Sequence, residues 1–350
     1  MHKGVIYALL AAALFGASTP FAKLLVGSVP PVALAGMLYL GSGLGLLIWL
    51  AIRAISQRGE TDKPAGLTKP DLPWLGGAIL AGGIAGPVLL MVGLTFTPAS
   101  TASLLLNMEG VLTSMLAWFV FKENFDRRIF IGMLFIVAAG VLLSWEQVPK
   151  LGVPWGALAI VGACLCWGVD NNLTRKVSAS DAVQIACAKG LVAGGVNLGI
   201  AVILGFRLPG MTTILSASAI GFCGYGLSLV MFVLGLRHLG TARTGAYFSA
   251  APFAGAAISL LMLGEIPSAI FWFAAALMGI GIWLHLTERH EHEHVHEPLS
   301  HAHEHVHDEH HQHDHDFEWD GDEPHTHPHR HAPIRHAHAH YPDIHHRHEH

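Results

Sequence analysis

The sequence predicts an all-α membrane protein: ten transmembrane helices built as two inverted five-helix repeats, followed by a disordered cytosolic tail rich in histidine. Three observations carry this expectation. Hydrophobic residues make up 52% of the 350 positions and charged residues only 13%, against roughly 25% charged in soluble domains. Ten segments of about the 20 apolar residues that cross a bilayer follow one another up to residue 287. The last 61 residues, 290–350, then hold 23 of the 26 histidines.

The ten segments are roughly 4–26, 32–54, 72–94, 99–121, 128–145, 154–176, 181–206, 213–236, 243–263 and 267–286. The first has the short basic start of a signal peptide, but so many spans follow that it reads as a retained helix. Most links are short, which makes successive helices antiparallel neighbours. The longest, around 55–71, contains Gly59, Pro64, Gly66 and Pro70 and reads as a loop. Gly41/Gly45, Gly190/Gly194 and Gly195/Gly199 are small-xxx-small pairs, which let helices approach closely in lipid. Cys164, Cys166, Cys187 and Cys223 all lie in apolar segments, where cysteine acts as a small hydrophobe, and no disulfide framework is expected.

Charge is unevenly placed. Residues 1–287 carry 16 Lys/Arg and 10 Asp/Glu, a net of +6, and residues 288–350 carry 4 Arg and 15 Asp/Glu, a net of −11. Neither part has the basic stripe of a nucleic-acid binder. With a cytoplasmic N-terminus, twelve Lys/Arg flank the spans inside, from Lys3 to Arg243, and two, Lys150 and Arg207, outside. The positive-inside rule therefore favours that orientation, and ten spans return the C-terminus to the cytoplasm.

The first segment, from Gly4 through Phe15-Gly16 to Pro20 and Lys23, is echoed by the sixth, from Gly156 through Trp167-Gly168 to Arg175. The fourth and ninth segments close on Glu123 and Glu265 after similar runs. Five spans per unit is an odd number, so the second unit enters from the opposite side of the membrane. Oppositely oriented repeats with a site between them are common in secondary transporters.

On these residues the body resembles the drug/metabolite transporter superfamily, as a pair of EamA-type domains at 1–147 and 152–287, with the histidine-rich tail at 288–350. The resemblance implies alternating-access transport of small organic solutes, often outward. Many relatives carry a proline in mid-span four. Here that place reads Asn107-Met-Glu-Gly110, while span nine keeps Pro252.

Polar groups inside lipid are costly and mark pathways or partners. Glu109 in span four suits a proton relay, with Asn107 two residues before it; the structural alternative is a packing pair with a Lys or Arg. Asp170, Asn171 and Asn172 end span six, and Cys166, Asp170 and Thr174 share a helix face. That face is a weak metal site or a hydrogen-bonded helix end. Lys189 and Gln184 on span seven are candidate partners for the acids. Arg243 and Tyr247, one turn apart, are placed to hold an anionic group, or Arg243 snorkels to the interface. No phosphate-binding loop is present, so neither ATP-driven transport nor an enzyme is indicated.

In the tail, His290, His292, His294, His296, His301, His303, His305, His307, His310, His311, His313 and His315 are candidate metal ligands. Imidazole suits Zn, Ni, Co and Cu, and no ion or cofactor is required by the body. The tail lacks aliphatic periodicity and is expected to be disordered without metal.

The reading is a multi-pass transporter of the cell inner (plasma) membrane, probing cytosolic metal through its tail, with a homodimer left open. The alternatives are a Zn, Ni or Co transporter and a membrane-anchored metal store or sensor. Reporter fusions after residue 150 and after residue 287 should report outside and cytoplasm; the reverse pattern rejects the orientation. Free imidazole has a pKa of about 6.5, so protons compete with metal for the same nitrogens. Several Zn or Ni ions should bind the tail at about pH 7.5 and most should leave by about pH 5.5. Equal metal content at both pH values in calorimetry would refute imidazole ligation.

Overall fold

The computed structural model describes residues 2–56, 66–121, 127–146, 153–177, 180–239, 244, 247–286, 291–295, 300–305, 325–330 and 335–339. The chain forms two units, Met1–Glu288 and Arg289–His350.

The first unit is helical. α1 (His2–Leu25) and α2 (Pro31–Ser56) are joined through Gly27, whose φ of 95° is a conformation that glycine takes without strain. α3 (Leu72–Ala78) runs through a π-helical turn at Ile79–Ala85 into α4 (Gly86–Phe96). α5 (Ala99–Leu105) and α6 (Met108–Phe121) share one apolar stretch. α7 (Arg127–Glu146), α8 (Trp155–Val177) and α9 (Ala182–Ile203) follow. α10 (Met211–Gly221) passes through a second π-helical turn, Phe222–Leu227, into α11 (Ser228–Leu239). α12 (Ala251–Leu263) stops at Gly264, φ 63°, and α13 (Ala269–Leu286) completes the unit.

Among the described residues, each apolar segment of the sequence falls mostly on helix. Among the described residues, seven helices are long and apolar enough to cross a membrane, and three apolar helices, Phe130–Trp145, Ala251–Leu263 and Ala269–Leu284, are shorter.

Four segments are not the uninterrupted helices expected; the ninth turns at Ser249–Ala250, where the Ala250 N–H bonds back to the Tyr247 carbonyl at 3.2 Å. Near residue 80 the causes are Pro87 and a glycine pair. Pro87 has no N–H to give Gly83, and the Gly86 N–H reaches past Gly82 to the Ala81 carbonyl. Two carbonyls, those of Gly82 and Gly83, are thereby released from the helix ladder. Near residue 225 the Ser228 N–H likewise bonds five residues back, to Cys223. The fourth segment breaks at Leu106–Asn107. There the Asn107 side-chain amide and its own N–H both turn back to the Leu104 carbonyl at 3.0 Å. Asparagine competes with the ladder for backbone acceptors in this way.

The helices pack in a regular scheme: α2 on α9, α7 on α13, α5 on α12, α1 on α11 and α12, and α8 on α4 and α6. Small residues set the approach distances. A Cβ at Gly43 would press on the Gly190 and Leu191 backbone, and one at Gly190 or Gly194 on Gly43 or Leu40. Gly41 lies against Ser218 and Gly45 against the Phe222 ring. Gly195 and Gly199 meet nothing within 4 Å, so that pair does not form a helix contact.

Four short strands are described in the tail. β1 (Glu291–Val295) pairs antiparallel with β4 (Arg335–Ala339), and β2 (Ser300–His305) with β3 (His325–Arg330). His-x-His alternation has period two, which is the period of a strand.

Replacing Gly43 by Ala should lower the melting temperature of the purified protein, since overpacking typically costs about 1–3 kcal/mol. Gly195→Ala should leave it unchanged or raise it, because alanine favours helix and the space is open. Equal effects of the two in a detergent thermal melt would show that the α2–α9 seam is not glycine-dependent.

Candidate functional site

The polar residues of the body gather where α8 meets α9, the first π-helical turn and the start of α6. Asp170, six-hundredths exposed, is buried in the last third of α8. The Lys189 ammonium, two turns into α9, donates to both its oxygens at 2.6 and 2.7 Å and to Thr174 Oγ1 at 3.3 Å. Thr174 in turn donates to Asp170 Oδ1 at 2.8 Å, across the helix face anticipated from the i, i+4 spacing. All three Lys189 donors are used. A buried ion pair is held at all only when its lone pairs and protons are this fully met.

The pair needs Gly82. A Cβ at that position would run into the Asp170 carboxylate. The Gly82 carbonyl, released by the π-helical turn, accepts from Tyr39 Oη at 2.8 Å and Trp167 Nε1 at 2.9 Å. The Gly83 carbonyl accepts from Asn197 Nδ2 at 3.2 Å. These donors answer carbonyls that lipid would leave unsatisfied. Sequence reasoning missed Tyr39, Gly82, Trp167 and Asn197. The signal was present in Gly82-Gly83 followed by Pro87, four residues after the second glycine.

Glu109 sits in the first turn of α6, where a carboxylate, when ionised, complements the helix dipole. Its Oε1 accepts from Asn171 Nδ2 at 2.8 Å. Asn171 also reaches Thr113 Oγ1 at 3.4 Å, and Asn172 donates to the Thr113 carbonyl at 3.2 Å and the Gly168 carbonyl at 2.8 Å. Glu109 is half-buried and Asn171 exposed, whereas Asp170 and Asn172 are buried. The cluster thus has an accessible acid and amide on one side and a closed ion pair on the other.

The remaining candidates lie elsewhere. Asn107 shapes the break before α6 and lies 3.5 Å from Met278 Sδ. Gln184 lies near Gly66. Tyr247 is more than a third exposed, and no described contact links it to Asp170. Arg243 falls outside the described residues, as do Glu123 and His290, His296, His307, His310, His311, His313 and His315. His292, His294, His301, His303 and His305 lie on β1 and β2. Among residues with described side chains, no three of His, Cys, Asp and Glu converge on a metal-sized site, and Lys189 occupies the Asp170 carboxylate.

Two further anchors tie the ends of the bundle. Glu265 accepts from the Ala99 and Ser100 N–H groups, at 2.7 and 2.9 Å, capping α5. Lys23 donates to the Leu94 and Thr97 carbonyls beside it. At the opposite helix ends, Arg53 of α2 pairs at 2.9 Å with Asp181, which also caps α9.

A transporter of Methanothermobacter thermautotrophicus described as uncharacterized is 26% identical over 295 residues, covering 80% of this chain and 85% of its own. The uncharacterized transporter YyaM of Bacillus subtilis is 24% identical over 265 residues, covering 72% and 83%. A crystal structure of a protein shares the fold with a TM-score of 0.59 at 18% identity, over 81% of this chain and 96% of that one. The model of the EamA-like transporter family matches twice, at residues 2–145 and 154–287, in the part of the chain that carries the apolar helices. The chain therefore belongs to the EamA-like transporter family and is a multi-pass membrane protein.

Proposed function

We propose that the protein is a secondary active transporter that exports a small organic solute, with Glu109 exchanging a proton against the cargo and the Asp170–Lys189 pair forming the floor of the pathway. The observation that carries this reading is the cluster itself: an accessible carboxyl, one amide away from a buried ion pair, at a helix break inside an apolar body. Discontinuous helices at mid-membrane build the sites of many secondary transporters. Asn107, Asn171 and Asn172 supply polar lining, and Arg243 and Tyr247 are further candidates for holding an anionic group of the cargo.

Ten spans in two inverted five-helix repeats, at 1–147 and 152–287, belong to this reading. The packing scheme supports it. Counting the apolar segments from one to ten, two packs on seven, four on nine and five on ten, while one packs on eight and nine and six on three and four. Exchanging the two halves returns the same scheme. Both π-helical turns also fall at corresponding places, in segments three and eight. The termini are cytoplasmic, in the cell inner membrane, and a homodimer is compatible. The tail at 288–350 binds Zn, Ni, Co or Cu ions and serves as regulator.

Transition metal as cargo is the second reading, favoured by the 23 tail histidines. Lys189 on Asp170 weighs against it, because an ammonium occupies the carboxylate that a cation would need. A mere metal store does not account for charges buried in the body.

Glu109→Gln should leave membrane abundance unchanged and lower solute flux at least tenfold, with loss of its pH dependence, in proteoliposomes carrying an internal pH dye. Flux that falls only in proportion to folded protein would assign Glu109 to structure. Asp170→Asn or Lys189→Met alone should destabilise by about 3–5 kcal/mol by stranding a charge. The double substitution should restore abundance but not flux. If flux returns with abundance, the pair only packs.

A further inference from the structure

The tail pairs its histidines with one another. In the first ribbon His292 stands opposite His338 and His294 opposite His336. In the second, His301 stands opposite His329, His303 opposite His327 and His305 opposite His325. Every histidine on the four strands has a histidine as its register partner, while the alternate positions pair other types, such as Glu293 with Ala337 and Glu304 with Thr326. Glu291 faces Ala339 and Ser300 faces Arg330. Nine residues forward on one arm therefore match nine back on the other, so both ribbons keep a single register.

Residues two apart on a strand share a face, and facing residues of an antiparallel pair share it too. His292, His294, His336 and His338 thus occupy one face of the first ribbon, and six histidines one face of the second. Facing positions have Cβ atoms about 4.5–5.5 Å apart, and alternate positions along a strand are about 6.5–7 Å apart. Four imidazole-bearing positions at that spacing match the four-coordinate shell that Zn²⁺ takes, with nitrogens at about 2.0–2.1 Å.

The energetics require something of this kind. A two-stranded ribbon is marginal in water even with an apolar face. The faces here carry histidine on one side and a mixture of Glu, Ala, Ser, Thr, Pro, Arg and Val on the other. Little apolar area is available to hold the arms together. Protonated histidines directly opposite one another would also repel.

We propose that these two histidine faces are cross-strand sites for divalent transition ions, each completed only when β4 pairs with β1 and β3 with β2. This deepens the metal-binding reading of the tail and rests on it. It adds His325, His327, His329, His336 and His338 to the site, and it makes metal binding and folding of the tail one event.

The test uses the full-length protein in nanodiscs at pH 7.5, with Zn²⁺ alone as probe and a chelator in competition. One variant replaces His325, His327, His329, His336 and His338 by Asn. A control replaces five histidines that belong to none of the described strands: His307, His310, His311, His313 and His315. The strand variant should weaken the tightest Zn²⁺ sites at least tenfold, including those left on residues 291–305. The control should lower only the number of weak sites. Spin labels on Ser300→Cys and Arg330→Cys, in a background without the four native cysteines, should give one short distance with Zn²⁺ and a broad distribution without it. Equal effects of the two variants, with no metal-dependent distance, would overturn the cross-strand site and leave local His-x-His binding. Absence of tight Zn²⁺ binding in the parent protein would overturn both the site and the metal-binding reading.

Discussion

A carboxylate buried in an apolar body must be neutralised, and much of the bundle is arranged around that requirement. Asp170 receives two contacts from Lys189 and one from Thr174, and it is seated where Gly82 has no side chain. That seat exists because α3 and α4 are joined by a π-helical turn. The turn exists because Pro87 withholds an N–H and the paired glycines accept the wider winding. The two carbonyls so released recruit Tyr39 from α2, Trp167 from α8 and Asn197 from α9. One ion pair thus depends on four helices, and those helices are tied to one another by the hydrogen bonds that make the pair tolerable.

Close backbone approach is the second constraint. Lipid tails are as apolar as leucine side chains, so helix association in a membrane rests on packing and polar contacts rather than on burial alone. α2 and α9 meet through Gly43, Gly190 and Gly194, α1 and α12 through Gly16 and Gly255, and α7 and α13 through Gly281 against Gly132. The bundle ends are held by charge: Glu265 on the first N–H groups of α5, and Arg53 on Asp181.

Much of the fold was legible in the sequence because lipid imposes a one-dimensional rule. Twenty apolar residues must be helical, since their backbone groups have no other partners, and among the described residues seven helices are long and apolar enough to cross a membrane, with three shorter ones beside them. The identity of the polar core was also legible. Asp170, Lys189, Glu109 and Asn171 stand out as ionisable or amide groups in apolar surroundings, and the i, i+4 relation of Asp170 and Thr174 follows from helical period alone. What escaped was everything set by a missing atom. Gly82 matters through the side chain it lacks, and Tyr39 and Trp167 look like ordinary aromatic packing until a freed carbonyl lies beside them.

By itself the sequence determined the apolar segments, their helical state, the family likeness and the separation of body from tail, because each depends on local composition and period. Only the tertiary structure decided which glycines form seams, so that Gly190/Gly194 pack and Gly195/Gly199 do not. It likewise decided that Lys189 rather than Gln184 answers Asp170, and that the histidines of the tail's two arms stand in one register. The reason is the same in each case. These are relations between residues far apart in the chain, and neither helix period nor strand alternation records which face meets which.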